Sequence, residues 1–204
     1  MISDTQRFER AIAAFDAVNA QDPNKEQADG KEYPKEILYA QRMSEMLDRF
    51  APDASEAVKL AVRAQHIKRW AIPRSEYPMT LPGYKQWRIR LYTFHADLAA
   101  EILREVGYDE EMIARVHSIV RKEALKTNPE TQMLEDVVDL VFLEHYLVDF
   151  VNKYGSAGEA KMIDILRKTW KKMSPQGHEA ALKLIKLPEA LVPVILKAVK
   201  GDAA

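Results

Sequence analysis

The residues of this chain that are best suited to chemistry lie between Arg63 and His95. The part of this segment up to Arg90 holds seven lysines and arginines, two of the three tryptophans and two tyrosines, but one acid, Glu76. A histidine lies near each end, at His66 and His95. Guanidinium groups match phosphate and carboxylate in shape, and imidazoles transfer protons near neutral pH. This combination predicts a site for an anionic small ligand.

Cations and one tryptophan are the predicted ligand-binding residues. The arginines would form planar donor forks, and the tryptophan ring would stack on a base or a sugar. The candidates are Arg42, Arg69, Trp70, Arg74, Arg88, Arg121 and Lys122. The alternative for each arginine is a solvated surface position. The alternative for the aromatic side chains is that they anchor a proline-rich loop.

The two histidines of the segment are predicted to be catalytic. His95 falls on an apolar stripe with Leu91, Leu98 and Ile102, which favours either a hydrogen-bonded core histidine or a residue lining a cavity. His66 lies near the end of its predicted helix, where it would either interact with the helix C-terminus or contribute to a site. As site residues, both would act as general acids or bases, or would bind a metal.

A second informative segment is acidic and helical. Residues 129–149 hold six acids and no lysine or arginine. A helical wheel at 100° per residue places Asp136 and Glu144 in the apolar sector, where an ionised carboxylate needs a partner. Both are predicted catalytic residues, with a helix-orienting buried ion pair as the alternative. Asp136, His66 and His95 are the metal-ligand candidates, so a divalent metal is an open alternative for the cofactor.

Composition excludes several classes of protein. The chain has 204 residues, with 30 lysines and arginines against 31 acids, and its isoelectric point is near 6.5. This balance makes nucleic-acid binding an unfavoured prediction. No apolar run is long enough for a transmembrane helix, and the N-terminal residues do not resemble a signal peptide. Without cysteine there are no disulfides or thiolate sites. A cytoplasmic protein that does not contact membranes is the prediction.

Hydrophobic periodicity predicts a single all-α domain, residues 1–204, with about eight or nine helices. An N-terminal helix within residues 1–20 and C-terminal helices within 159–204 would pack on the core. Gln21–Tyr33 and the proline-rich segment 73–83 are predicted loops. The other predicted helices span 34–50, 53–70, 86–106, 109–126, 131–153, 159–172, 176–186 and 189–200.

Several strings together resemble an uncharacterised family known as domain of unknown function 4202. They include RFERAIAAFDAVNAQDPN, PKEILYAQRMSEML, RAQHIKRWAIPRSEYPM, GYKQWR, FHADLAAEIL, LEDVVDLVFLEHYL and KTWKKMSPQGH. The resemblance covers nearly the whole chain. It implies a helical protein and supplies no activity.

A weaker resemblance links the chain to the HD superfamily of helical metal-dependent phosphohydrolases. AQHIKRW occupies the place of the His-Asp doublet, with Gln65 and His66 at the doublet positions. FHADLAAEIL resembles the later histidine-led helix, so His95 matches that histidine. LEDVVDL resembles the distal aspartate helix, with Asp136 or Asp139 as the match.

Other positions of the HD pattern depart from that superfamily. Tyr39 or a neighbour stands where the first histidine of the superfamily pattern is expected. Arg121 and Lys122 lie near the position of another histidine of that pattern. The metal ligand set is therefore incomplete. The replacements lean cationic, through Arg121 and Lys122, which would suit holding a phosphate without a divalent ion.

Two function hypotheses follow from these patterns. In the first, the chain binds or hydrolyses a phosphorylated or nucleotide-like small molecule in a pocket lined by histidine and arginine, as a phosphohydrolase-like hydrolase if it is an enzyme. In the second, it is a non-catalytic interaction or scaffold protein whose charged segments form a structural ion-pair network. RNA contact through the basic segment is a less favoured third hypothesis. Oligomeric state is not indicated by the sequence.

Overall fold

The all-α prediction is confirmed by the computed structural model, which describes residues 3–154, 159–185, 192 and 195. Nine α-helices and one two-stranded sheet occur in this part of the chain. The helices are α1 (Asp4–Asn19), α2 (Lys35–Phe50), α3 (Glu56–Ala64), α4 (Leu81–Val106), α5 (Glu110–Val120), α6 (Pro129–Val141), α7 (Leu147–Tyr154), α8 (Glu159–Lys172) and α9 (Pro175–Leu184). The predicted helix at residues 189–200 lies outside the described residues.

Side-chain caps determine where several helices begin. The Ser55, Asp109 and Ser174 side chains accept backbone N–H bonds in the first turns of α3, α5 and α9. Such caps satisfy amide groups that have no partner inside the helix. Gly107 ends α4 with a φ of 98°, a left-handed conformation that glycine adopts without strain. The predicted ends of these helices, at residues 53, 106, 109 and 176, agree with the structure to within three residues.

The prediction of a loop over Gln21–Tyr33 is wrong in part. A hairpin forms there from β1 (Lys25–Ala28) and β2 (Lys31–Pro34), which pair antiparallel. Asp29 and Gly30 connect them with φ angles of 50° and 73°. Asp-Gly is a strong signal for a two-residue turn of this kind. The short strands lack an apolar alternation, which is why the hairpin was missed.

Three predicted helix boundaries differ from the structure on either side of the basic segment. Helix α3 ends at Ala64 rather than Trp70, and short 3₁₀ turns follow at Arg69–Ala71 and Arg74–Glu76. Helix α4 begins at Leu81 rather than Gln86, because its early proline needs no amide donor in a first turn. Helix α5 ends at Val120, before three residues with positive φ at 122, 124 and 126.

The predicted helix over residues 131–153 is interrupted by a π-helical segment, Phe142–Tyr146. A π-turn adds a residue and rotates all later side chains relative to a regular helix. The 100° wheel therefore fails across this segment. Glu135 and Asp139 precede this segment in α6, where both are 3% exposed and each forms an ion pair with Lys172.

The chain divides into two compact units, one up to Leu134 and one from Glu135 onward. In the first, α3 is the central helix and packs against α1, α2, α4 and α5. Its Leu60, Ala61 and Val62 are fully buried. The prediction of a single domain stays a prediction. No helix among the described residues has the length and apolar character needed to cross a bilayer.

Candidate functional site

A cleft of about 750 Å³ lies beside the hairpin and the 3₁₀ turns of the first unit. This volume is in the range of small-molecule sites. Four of its lining residues carry a positive charge, two are tryptophans and one is a carboxylic acid. The lining residues are Pro23, Asn24, Lys25, Lys35, Glu36, Arg69, Trp70, Ile72, Pro73, Arg74 and Trp87.

Arg69 is the best-placed cation of the cleft. Its guanidinium lies 4.8 Å from the centre of the Trp87 ring, and Trp87 is held by a 2.9 Å bond from its indole N–H to the Ile72 carbonyl. Burial lowers the pKa of Arg69, while nearby Glu36 opposes this shift. No hydrogen bond or ion pair joins the guanidinium to another described residue. Its donors are therefore available to a ligand.

The hairpin and the start of α2 place two lysines on the same cleft. Asp22, which is 2% exposed, accepts the Glu36 N–H at 3.0 Å and the Asn24 N–H at 2.9 Å. It thus caps α2 from a distance, because Pro34 supplies no side-chain cap. This connection fixes Lys25 and Lys35 at the cleft, and both are exposed.

Glu36 is a buried acid in the wall of the cleft. The residue is 5% exposed, and its Oε2 atom has no hydrogen-bond partner in the described part of the chain. The nearest ionisable partner is His66, whose Nδ1 lies 3.5 Å from that oxygen. Burial raises the pKa of Glu36 to about 7, and Arg69 opposes the rise. The carboxyl group can therefore gain or lose a proton near neutral pH.

The structure brings the two predicted histidines together. The rings of His66 and His95 are 5.9 Å apart between centroids, and His66 stacks on Tyr39 at 4.2 Å. Burial lowers the pKa of His66 well below its ordinary value, with Arg69 and His95 adding to the effect. The neutral imidazole is therefore the stable form of His66 in the folded protein.

His95 is held by the backbone just after α3. Its Nδ1 lies 2.7 Å from the Ile67 carbonyl, so Nδ1 must carry the proton and donate it. Nε2 is then an acceptor, and it is buried without a partner among the described residues. Burial and Arg69 together lower the pKa of His95 to about 3. His95 is thus a neutral histidine with a fixed tautomer.

Two further predicted cations lie close to this pair. The Arg88 guanidinium lies 4.9 Å from the centre of the Tyr92 ring and donates to the Tyr92 hydroxyl. The Lys122 ammonium is 5.6 Å from the centre of the same ring. Both contribute to the lowered pKa of His66. They make the potential around the imidazoles positive.

Three other predicted ligand-binding arginines already have protein partners. Arg42 forms an ion pair with Glu26. Arg74 lines the cleft but donates to the Tyr77 and Pro78 carbonyls, each at 2.8 Å. Arg121 pairs with Glu123 at 3.2 Å and is exposed. The structure therefore places Arg74 at the same cleft as Arg69, but not Arg42 or Arg121. The role of all three in ligand binding stays a prediction.

The predicted catalytic acids Asp136 and Glu144 belong to the second unit. Asp136 accepts the Ser174 N–H at 2.7 Å and the Ser174 hydroxyl at 2.6 Å, which fixes the start of α9. Glu144 lies in the π-helical segment, 3.2 Å from His145. Asp136 therefore has a structural role, which is to hold the first residues of α9. The catalytic roles of both acids stay predictions.

A divalent metal does not fit the two histidines of the first unit. Metal sites of this kind need three or more histidine or carboxylate ligands around one point, and no such group occurs in the described parts of the chain. Arg69, Arg88 and Lys122 also make the surroundings of His66 positive. The donor set therefore suits an anion better than a metal cation.

Sequence reasoning missed Glu36 and the two lysines, Lys25 and Lys35. A signal for Glu36 was present, because it shares a helix face with Tyr39, Ala40 and Met43, which are buried. An acid on an apolar face is the same signal that drew attention to Asp136. The lysines carried no comparable signal, since their position depends on the hairpin.

Replacing Glu36 by glutamine is expected to stabilise the protein at pH 8 and not at pH 4.5. The pKa of Glu36 is about 7 in the folded state, against 4.5 for an unperturbed glutamate, which represents the unfolded chain. Between these values the folded state holds a proton that the unfolded state has lost, so stability falls as pH rises through this window. Above pH 7 the loss reaches about 3 kcal/mol.

Urea denaturation of the wild type and the Glu36→Gln variant at both pH values measures this effect. Glu45→Gln is the matched control, because Glu45 is an exposed acid of the same helix. The control should change stability by less than about 0.5 kcal/mol at either pH. Equal stability of wild type and Glu36→Gln at pH 8 would contradict a raised pKa.

Comparison with known proteins identifies the family. The family model described as Domain of unknown function (DUF4202) matches residues 9–195. Searches of curated proteins and of solved structures gave no significant match. The resemblance to HD phosphohydrolases is not supported by these comparisons. Because the family model covers most of the chain, this protein belongs to the DUF4202 family.

Proposed function

We propose that this protein binds a phosphorylated small molecule in the cleft beside the hairpin, with Arg69 as the main anion-binding residue. The observation that carries the proposal is the Arg69 guanidinium, which stacks on Trp87 and has no hydrogen bond to a described residue. A largely buried guanidinium without a hydrogen-bond acceptor destabilises the folded protein unless a ligand supplies the acceptor. Phosphate offers the charge and the paired acceptors that guanidinium prefers.

The other lining residues support the same class of ligand. Lys25 and Lys35 add positive charge at the exposed edge of the cleft. Trp70 also lines the cleft, is partly exposed and has no aromatic or cation–π contact with a described residue, so we expect it to stack on the ligand. A planar ring joined to a phosphate would use both features.

Hydrolysis of the HD type is not part of this proposal, because the histidine pair does not present a metal ligand set. Proton transfer at the cleft would fall to Glu36, whose pKa is about 7, and to its neighbour His66. These two groups lie 3.5 Å apart and could exchange a proton with a bound ligand. The proposed function is therefore ligand binding.

A thermal-shift screen of metal-stripped protein tests the proposal. The panel holds nucleotides, sugar phosphates and divalent metals, singly and in pairs. A ligand at a hundred times its Kd stabilises the native state by about 2.7 kcal/mol, which for a chain of this size raises Tm by roughly 5–10 °C.

The expected result is a saturable shift with phosphorylated compounds that does not require a metal. A shift that appears only when a metal and a phosphorylated compound are combined would contradict the metal-free site. No shift with any member of the panel would overturn the proposal and favour the interaction-protein hypothesis.

A further inference from the structure

Glu36 is an unexpected residue for an anion-binding cleft, because an ionised carboxylate there would repel the ligand. It shares the cleft wall with Arg69, and it is buried with its Oε2 atom unpartnered among the described residues. A carboxyl group beside a phosphate is favourable only when one proton lies between them. That proton can come from the carboxylic acid or from the phosphate.

We infer that Glu36 makes the cleft selective for a terminal phosphate group, by sharing one proton with the phosphate oxygen that lies next to Arg69. This inference rests on the proposed function and names the ligand class of that same site. A phosphomonoester has a second ionisation near pH 6 and can carry the shared proton. A sulfate group and a phosphodiester carry no such proton near neutral pH, and each would face an ionised Glu36 directly.

The surroundings of Glu36 determine how easily it holds this proton. Burial favours the protonated form and brings its pKa to about 7. Arg69 and Lys35 favour the ionised form, whereas Asp22 and Glu26 favour the protonated form. His66 also faces the carboxyl group, and its neutral imidazole offers no positive charge to hold the carboxylate ionised. The other groups that act electrostatically on His66 are the cations Arg69, Arg88 and Lys122 and the titratable, neutral His95.

Ligand binding should shift this balance further toward the protonated form. Arg69 is the strongest electrostatic influence that keeps Glu36 ionised. A phosphate that engages Arg69 offsets this positive charge, so the free energy of ionising Glu36 rises. At pH 8, where the free carboxyl group is mostly ionised and the ligand is mostly a dianion, binding should therefore take up close to one proton.

Calorimetric titration with inorganic phosphate and with inorganic sulfate tests the inference at constant ionic strength. Each titration is run at pH 8 in two buffers with different ionisation enthalpies, so that the protons taken up per anion can be counted. The wild type should bind phosphate at least tenfold more tightly than sulfate. The apparent affinity for phosphate should fall by up to tenfold per pH unit above pH 8, because the shared proton must be taken from solution.

Glu36→Gln separates selectivity from simple charge attraction. The amide is always able to donate and never repels an anion, so this variant should bind both anions with affinities within about threefold of each other and without proton uptake. Glu45→Gln, at an exposed position of the same helix, should keep the wild-type selectivity.

The outcomes distinguish this inference from the proposal on which it rests. If the wild type binds phosphate and sulfate equally and takes up no proton, the role of Glu36 is overturned while anion binding stands. If the wild type binds neither anion nor a phosphomonoester, the proposed function fails and the inference fails with it. A preference for phosphate over sulfate that is the same in Glu36→Gln as in the wild type would also overturn the inference.

Discussion

Replacing Lys172 by methionine is expected to destabilise the second unit by roughly 2 kcal/mol, a value between those of an exposed and a buried ion pair. The Lys172 ammonium lies 2.7 Å from Glu135 Oε1 and 3.0 Å from Asp139 Oδ1. Both carboxylate side chains are 4% exposed, whereas the lysine side chain is 43% exposed. Removing the cation weakens the electrostatic compensation of two buried carboxylates, and this is the main source of the loss, although water offsets part of it.

Urea denaturation followed by circular dichroism measures this loss against a matched control. Lys168→Met removes a lysine of the same helix that pairs with Asp164 at 2.6 Å, but there both side chains are more than half exposed. The control should cost less than about 0.5 kcal/mol. Adding Glu135→Gln to Lys172→Met should recover part of the stability, since it removes one of the buried charges. Similar losses for the two lysine variants would contradict this account of α6 and α8.

Replacing His95 by alanine is expected to cost about 3 kcal/mol at pH 7. The substitution leaves a cavity in the core, because His95 is 1% exposed. It also removes the donor that bonds the Ile67 carbonyl at 2.7 Å, and a buried carbonyl without a donor adds to the loss. Both effects act on the chain between α3 and Arg69, so the cleft should also bind its ligand more weakly.

His95→Asn distinguishes the hydrogen bond from the volume of the ring. The asparagine amide can place an N–H donor close to the position of the imidazole Nδ1. It should therefore recover at least about 1 kcal/mol relative to alanine. Denaturant unfolding of both variants gives the comparison, and equal losses would contradict a role for the Ile67 bond.

Helix positions could largely be predicted from local signals. Periodic apolar residues and side-chain caps such as Ser55, Asp109 and Ser174 act within a few residues, so the sequence reveals them directly. The π-helical segment Phe142–Tyr146 could not be predicted in this way, because it does not alter the local composition. The burial of Glu135 and Asp139 has a different cause, because both precede this segment and form ion pairs with Lys172, which lies more than 30 residues later in the chain.

The clustering of candidate site residues was visible in the sequence. Which of them belong to the site depends on contacts between residues that are far apart in the chain. His66, His95 and Arg69 were predicted from their clustering with aromatic residues. The structure places Arg69 in the cleft lining, His66 next to Glu36 of that lining, and His95 next to His66. Arg42 and Arg74 carry the same guanidinium group, yet one pairs with Glu26 and the other with loop carbonyls. No local pattern separates an arginine with a protein partner from one whose donors are available.

The two lysines of the cleft were missed because their position depends on a contact between distant residues. Asp22 bonds the first turn of α2 from 14 residues earlier in the chain. That contact requires the hairpin between them, and the hairpin was predicted as a loop. Glu36 differs, because the apolar helix face on which it lies was a local signal.

The most direct test of the central claim is the affinity of the cleft for a phosphorylated ligand with and without Arg69. Calorimetric titration of inorganic phosphate would compare the wild type, Arg69→Gln and Arg90→Gln, where Arg90 is an exposed residue of the same basic segment that does not line the cleft. Loss of charge-assisted hydrogen bonds predicts that Arg69→Gln weakens binding by roughly 10- to 100-fold. Arg90→Gln should stay within about twofold of the wild type at constant ionic strength. Equal affinities of the wild type and Arg69→Gln, or no binding by the wild type, would contradict an anion site at this cleft.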